Sequence, residues 1–372
     1  MSSSPAIGGL LAKTITSPAA LGFIPVAAEF RLFNILTEFN RPAPSEDVLA
    51  AFKNGLADAD ASTTPVPSGL LLIQDTLFAM AGLGLVDLVA EDLYSANALT
   101  RHLAATPSAV HGAIHFTTEA LMAAAFLMPK LKAQNFNYPF RECDAAMQYA
   151  YHQMGKEELA KQHTYAIMAA EGRMESFNSF MVGKFMKANK TLDRLKALGY
   201  DLPAVVSQAG PSTSTVMVDI GGGRGELLLE LKESFPQFRT TDLIVEEFND
   251  DLGNVPGITT VTWNFKEDHS PQPIKGALIY HLAHILHNLS DLEAARLLQK
   301  LSDAMAPYSR ILVHEFTKNV NYAFMHATMV ALFGGRERTS REWHQMAALA
   351  GLQVTFEAYP EFGEGVVEFR KL

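Results

Sequence analysis

Cysteine is almost absent from this chain of 372 residues, in which Cys143 stands alone. A single thiol excludes a disulfide framework and any cysteine-rich metal site, and it suits a reducing compartment, so the chain is expected in the cytoplasm. Basic charge is in deficit. Lys and Arg number 30 against 40 Asp and Glu, a formal net charge of −10. No basic stripe is present to neutralise phosphates, which argues against a nucleic-acid partner. Long apolar runs are missing too. The most apolar early stretch, 17–30, is interrupted by proline and is too short and mixed to span a bilayer. The opening Met-Ser-Ser-Ser-Pro lacks the basic start and apolar core of an export signal. What remains, 48% hydrophobic and 19% charged, is the composition of a globular protein long enough to bury a core without crosslinks.

Apolar residues recur at spacings of three and four over 6–40, predicting helix, until Asn40-Arg-Pro-Ala-Pro ends it. A second break falls at 61–69, rich in Thr, Ser and Pro. Residues 70–81 read as a helix ended by Gly82 and Gly84, and short strands at 85–89 and 93–95 follow as a wing. That is the winged-helix pattern. Because 70–81 holds no Lys or Arg, its apolar side chains are expected in a core or a subunit interface rather than on DNA. The first hundred residues accordingly predict a homodimer with intertwined helices. Residues 106–200 read as helical and are rich in Met and Phe, a stripe that fits ordinary core or an adaptable pocket for flat ligands.

From 212 onward the pattern changes. Strands at 216–220, 243–245, 258–263, 276–282 and 310–316 alternate with helices at 226–234, 292–306 and 340–350, and strands at 354–358 and 366–370 close the chain. The alternation predicts an α/β fold with a doubly wound, mostly parallel sheet and an antiparallel hairpin at its edge. The expected divisions are a helical dimerisation domain over 1–105, a helical substrate-pocket region over 106–210 and the α/β domain over 211–372.

The sharpest local signal is Val218-Asp-Ile-Gly-Gly-Gly-Arg-Gly225, which follows an apolar strand and opens a helix. Gly221, Gly222 and Gly223 let backbone amides approach a ligand, and the helix offers its first N–H groups. The third glycine of a dinucleotide turn is missing. The pattern suits instead the amino-acid half of S-adenosylmethionine, with Asp219 near its ammonium. The next strand should end in an acid that holds ribose hydroxyls, and the count gives Glu246, with Asp242 at the strand's start as the alternative. Asn264 and its neighbour Phe265, after the following strand, stand where the adenine is expected.

In these residues the chain resembles the class I S-adenosylmethionine-dependent O-methyltransferases of plant and fungal small-molecule metabolism. The likeness covers nearly the whole chain, including Ile285-Leu-His-Asn-Leu-Ser-Asp, Leu312-Val-His-Glu-Phe and Gly335-Arg-Glu-Arg-Thr-Ser-Arg-Glu-Trp. It implies a Rossmann-like catalytic domain behind the winged-helix dimerisation domain. By position, it makes His287 the general base that deprotonates a substrate hydroxyl, an imidazole being suited to the task near neutral pH. It also implies that Glu315 and Glu337 orient that base. The implied substrate contacts are Phe177, Asn178 and Met181 on a long helix, with Met325 and Met329. His281 and His284 are expected to be structural.

Some positions depart from the family pattern. Asn288 and Leu289 replace the usual Asp and Trp after the base, Ala283 replaces a Lys or Arg, and Asn264 replaces an Asp. Fungal relatives on this scaffold include pericyclases, which keep S-adenosylmethionine bound as a cationic element without transferring its methyl group. The expected activity is methylation of a hydroxyl on a polyketide- or alkaloid-like metabolite. Pericyclic cyclisation is the alternative.

Overall fold

The computed structural model describes residues 7–57, 69–141, 143–185, 190–210, 213, 215–248, 253 and 255–372. The break expected at 61–69 lies, apart from Gly69, outside them. Contacts between Cα atoms divide the chain into two units, 1–125 with 165–187 and 126–164 with 188–372.

In the first unit the stretch expected as one helix is three: α1 (Ile7–Leu21), Ile24–Glu29 and Leu32–Phe39. Gly22 and Pro25 punctuate the first junction, and Arg31 takes a left-handed φ of 51° at the second. No residue of α1 is buried. Helix Leu32–Phe39, by contrast, buries Leu32, Phe33, Ile35 and Leu36 in a core shared with Ile73, Leu77 and Met80 of α2 (Leu70–Gly82). A three-stranded sheet accompanies them, with β1 (Ala43–Pro44), β2 (Asp87–Ala90) and β3 (Leu93–Ser95) in the order β1-β3-β2. Further on, α3 (Pro107–His115) packs on α4 (Met174–Phe185). The approach is close, since a Cβ at Gly112 would lie 2.7 Å from the Phe180 ring.

The second unit is built on a seven-stranded sheet. Its strands are β4 (Met217–Ile220), β5 (Leu243–Glu247), β6 (Thr259–Thr262), β7 (Ile279–Ala283), β8 (Arg310–Phe316), β9 (Leu352–Ala358) and β10 (Glu364–Lys371), in the order β6-β5-β4-β7-β8-β10-β9. The first five are mutually parallel, and β10 runs antiparallel to both β8 and β9. The inner strands are continuous apolar runs because both faces are covered. Helix α5 (Glu226–Ser234) buries Leu227, Leu228 and Leu231. Helix α6 (Asp291–Ala304) begins at a Ser290–Glu293 capping box, and α8 (Ser340–Leu349) begins at a Thr339–Glu342 one. Between them α7 (Ala323–Phe333) follows β8 and ends at Gly334. The sheet is the expected doubly wound α/β arrangement, and the closing hairpin occupies its edge.

Candidate functional site

The site lies in the second unit, where β4, β5 and β7 reach their carboxyl ends. At β4 the chain turns through glycine because other residues do not fit. Gly221, Gly223 and Gly225 have φ of 64°, 59° and 76°. A Cβ at Gly221 would stand 2.5 Å from Ile285 Cδ1, and one at Gly222 would run into the Asp219 carboxylate. The Gly221 N–H donates to the Glu246 carbonyl at 2.7 Å, which ties the turn to β5.

Two acids serve this turn. Asp219 is 3% exposed. Its Oδ1 lies 2.6 Å from His281 Nδ1, and His281 Nε2 lies 3.0 Å from His314 Nδ1, so the three side chains form a buried row across β4, β7 and β8. Burial and the neighbouring His281 push the His314 pKa well below the ordinary value. A neutral His314 can donate from Nδ1 to His281, which in turn donates from Nδ1 to the Asp219 carboxylate. The second acid is Glu247, whose carboxylate accepts the Gly223 N–H at 2.7 Å.

Glu246 is turned elsewhere. It is 1% exposed, accepts from Gln272 Nε2 at 2.9 Å, and burial raises its pKa to about 7. Asp242 sits at the opposite end of β5, bound to Arg239. The Asn264 side chain is engaged within its own turn, donating to Glu267 Oε1 at 3.1 Å and accepting from the Lys266 N–H at 3.2 Å. Phe265 packs against Trp263, with ring centroids 5.9 Å apart.

After β7 the chain makes a single 3₁₀ turn, Leu286–Asn288, that carries His287. This turn is held by charged side chains. The Glu315 carboxylate accepts the backbone N–H groups of Leu286 at 2.6 Å and His287 at 3.1 Å. Arg338, wholly buried, donates to the carbonyls of Leu286 at 2.8 Å and Leu289 at 2.9 Å, and to Asp291 Oδ1 at 3.0 Å. Its guanidinium also lies over the Trp343 ring. Gly335 passes so close that a Cβ there would overlap the His287 carbonyl oxygen.

The two acids assigned to the base thus occupy different places. Glu315 holds the backbone of the turn, and burial raises its pKa. Glu337 faces the ring, with Oε1 3.3 Å from His287 Nδ1. On α7, Met329 is buried and Met325 half-buried. Phe177, Asn178 and Met181 belong to α4 of the first unit. There Phe177 packs on His115 and Tyr165, while Asn178 is exposed. His284 meets Glu364 at 3.1 Å. Sequence reasoning gave no role to Glu247, Gly335, Arg338 or His326, the last of which stands 3.2 Å from Glu337 Oε2.

An O-methyltransferase domain matches residues 204–353. O-methyltransferase bfoE of Aspergillus brasiliensis is 49% identical over 369 residues, spanning 99% of this chain and 97% of that protein. The chain belongs to the O-methyltransferase family. A second member, O-methyltransferase aunE of Aspergillus niger, is 50% identical over 355 residues, 94% of this chain and 99% of its own. Among solved structures, one described as a pericyclic reaction enzyme superposes with a TM-score of 0.75 at 22% identity, covering 100% of this chain and 90% of its own. That likeness shows the fold.

As a family member the chain is an S-adenosylmethionine-dependent methyltransferase. The residues present fit that cofactor. A turn that excludes side chains leaves room at its backbone, and two carboxylates, Asp219 and Glu247, stand beside it, groups of the kind that could pair with an ammonium or a diol. No helix among the described residues is long and apolar enough to cross a membrane.

Proposed function

We propose that this methyltransferase acts on a phenol or enol hydroxyl of a polyketide- or alkaloid-like metabolite, with His287 as general base. The observation that carries the reading is His287 Nδ1 facing Glu337 while Glu315 and Arg338 fix the backbone beneath it. A ring that donates Nδ1–H to a carboxylate keeps its Nε2 lone pair for a substrate proton. Glu337 then stabilises the imidazolium as it forms. S-adenosylmethionine supplies an electrophilic methyl group on a positively charged sulfur. His287 takes the hydroxyl proton on Nε2 as the oxygen–methyl bond forms and the sulfur–methyl bond breaks. Most of the rate comes from alignment, since holding two reactants in line removes the cost of their encounter.

For the cofactor, Asp219 is proposed at the ammonium and Glu247, rather than Glu246, at the ribose hydroxyls. Asn264 and Phe265 remain the proposed adenine neighbours. Met325 and Met329 offer polarizable surface to flat rings, and Phe177, Asn178 and Met181 are proposed as further contacts on the family likeness. The enzyme is proposed to be cytoplasmic and homodimeric. In the first unit, Leu10, Leu11 and Ile15 on α1 and Leu71 and Phe78 on α2 are exposed, an apolar face suited to a second copy. A sedimentation mass of one chain would count against the dimer.

The decisive experiment incubates the purified protein with methyl-labelled S-adenosylmethionine and a panel of hydroxyaromatic acceptors. One S-adenosylhomocysteine should appear per labelled product. Product formed without S-adenosylhomocysteine would replace this reading with the pericyclic one. His287→Ala should lower turnover about 10²- to 10⁴-fold with cofactor affinity little changed.

A further inference from the structure

Glu337 presents each of its two oxygens to a different imidazole. Oε1 lies 3.3 Å from His287 Nδ1, and Oε2 lies 3.2 Å from His326 Nδ1. The Glu337 side chain is wholly buried, whereas that of His326 is 23% exposed. Glu337 Oε2 and His326 Nδ1 are both sealed from solvent and neither makes a well-aligned hydrogen bond, so at 3.2 Å each is the other's nearest candidate partner. A buried carboxylate oxygen without a donor is destabilising, so the tautomer that satisfies Oε2 is the one with the His326 proton on Nδ1, a small ring rotation from alignment. Its Nε2 is then the nitrogen that titrates.

We propose that His326 is a positioning residue for His287, acting through Glu337: its Nδ1–H orients the carboxylate, and a second proton on its ring withdraws the carboxylate's support from the base. The inference rests on His287 being that base. A neutral His326 leaves the full charge of Glu337 to stabilise the imidazolium forming at His287. A protonated His326 pairs with the same carboxylate, and the new imidazolium meets a partner already neutralised.

The groups that face His326 set when this happens. Glu337 favours its charged form, and Lys318 and Arg336 oppose it. Burial opposes it most, and the balance lies below the ordinary histidine pKa. The ring is therefore neutral at neutral pH and charges as the solution becomes acidic. His326 couples the base to pH through a single shared carboxylate.

The test uses full-length protein labelled with ¹⁵N-histidine, together with the variants His326→Asn and His326→Leu. Asparagine keeps an N–H donor near the position of Nδ1 but cannot titrate, and leucine removes the donor. In the wild type, the His287 ring signals should move in step with the titration of His326. That step should vanish in His326→Asn while His287 retains its Nδ1–H. With labelled S-adenosylmethionine and a hydroxyaromatic acceptor, kcat should fall about tenfold in His326→Leu and recover to within about threefold of wild type in His326→Asn. The KM for S-adenosylmethionine should not change, and the acid limb of kcat should move to lower pH in His326→Asn. His287 signals indifferent to both variants, or equal losses of kcat in the two, would overturn the proposal. Full turnover in His287→Ala would instead remove the general-base reading, a result distinct from either.

Discussion

The glycine turn and the His287 turn end two adjacent parallel strands of one sheet, β4 and β7, yet they are held in opposite ways. At the glycine turn the backbone does most of the work. Left-handed dihedrals shape it, and β5 anchors it through the Gly221 N–H. At the His287 turn, entered through a left-handed His284 with φ of 55°, buried charge does the work, with Glu315 below, Arg338 beside and Glu337 on the ring. Even the glycines differ in purpose. Gly221 is required for its positive φ, and Gly335 for the space that a methyl group would occupy against the His287 carbonyl. One turn keeps side chains out and leaves its backbone open, whereas the other surrounds an imidazole ring with them.

Substitution separates these two kinds of construction. The largest effect belongs to the charged side. Arg338→Met should lower the unfolding free energy by about 3–5 kcal/mol, because Glu315 stays buried without its cation and two carbonyls lose their donor. A urea-unfolding loss under about 1 kcal/mol would show that the turn stands without this cation.

Next comes a buried acid on the side of the glycine turn. The Glu246 carboxyl is raised from 4.5 to about 7 by burial. It is protonated in the fold where the unfolded chain is already ionised. Stability is therefore fully present below about pH 4.5 and declines as pH rises towards about 7, by up to about 1.4 kcal/mol per pH unit. Glu246→Gln keeps the neutral shape and should flatten that slope. An unchanged slope in urea titrations across the window would assign it to another group.

Gly221→Ala should destabilise by about 1–2 kcal/mol through its dihedral and weaken S-adenosylmethionine binding by calorimetry. Smallest is Glu247→Gln, expected to weaken the cofactor about tenfold through one lost charge-assisted contact. Equal binding in Glu247→Gln and a loss in Glu246→Gln would return the ribose to Glu246.

The same division explains what could be read from the chain alone. The turn Asp219-Ile-Gly-Gly-Gly-Arg-Gly is legible because its rule is local: an apolar strand, residues that tolerate left-handed dihedrals, then a helix. The sheet is legible because strands buried on both faces are continuous apolar runs. The count from sequence places Glu246, with Asp242 as its alternative, because the apolar run stops at Val245, whereas the strand continues to Glu247. Side chains alternate across a strand, so these two neighbouring acids, Glu246 and Glu247, point to opposite faces. His287 is legible as a motif, but which carboxylate meets its ring depends on where β8 and the segment before α8 come to rest. His326 carried no signal at all, being a lone histidine in an otherwise apolar helix.

The place of β10 has a consequence for the order in which the molecule is made. This strand lies between β8 and β9, so residues 364–371 complete the hydrogen bonding of both. On the ribosome, β8 emerges long before its outer partner, and its free edge waits through the synthesis of α7 and α8. Until then that edge is open to pairing with a neighbouring nascent chain.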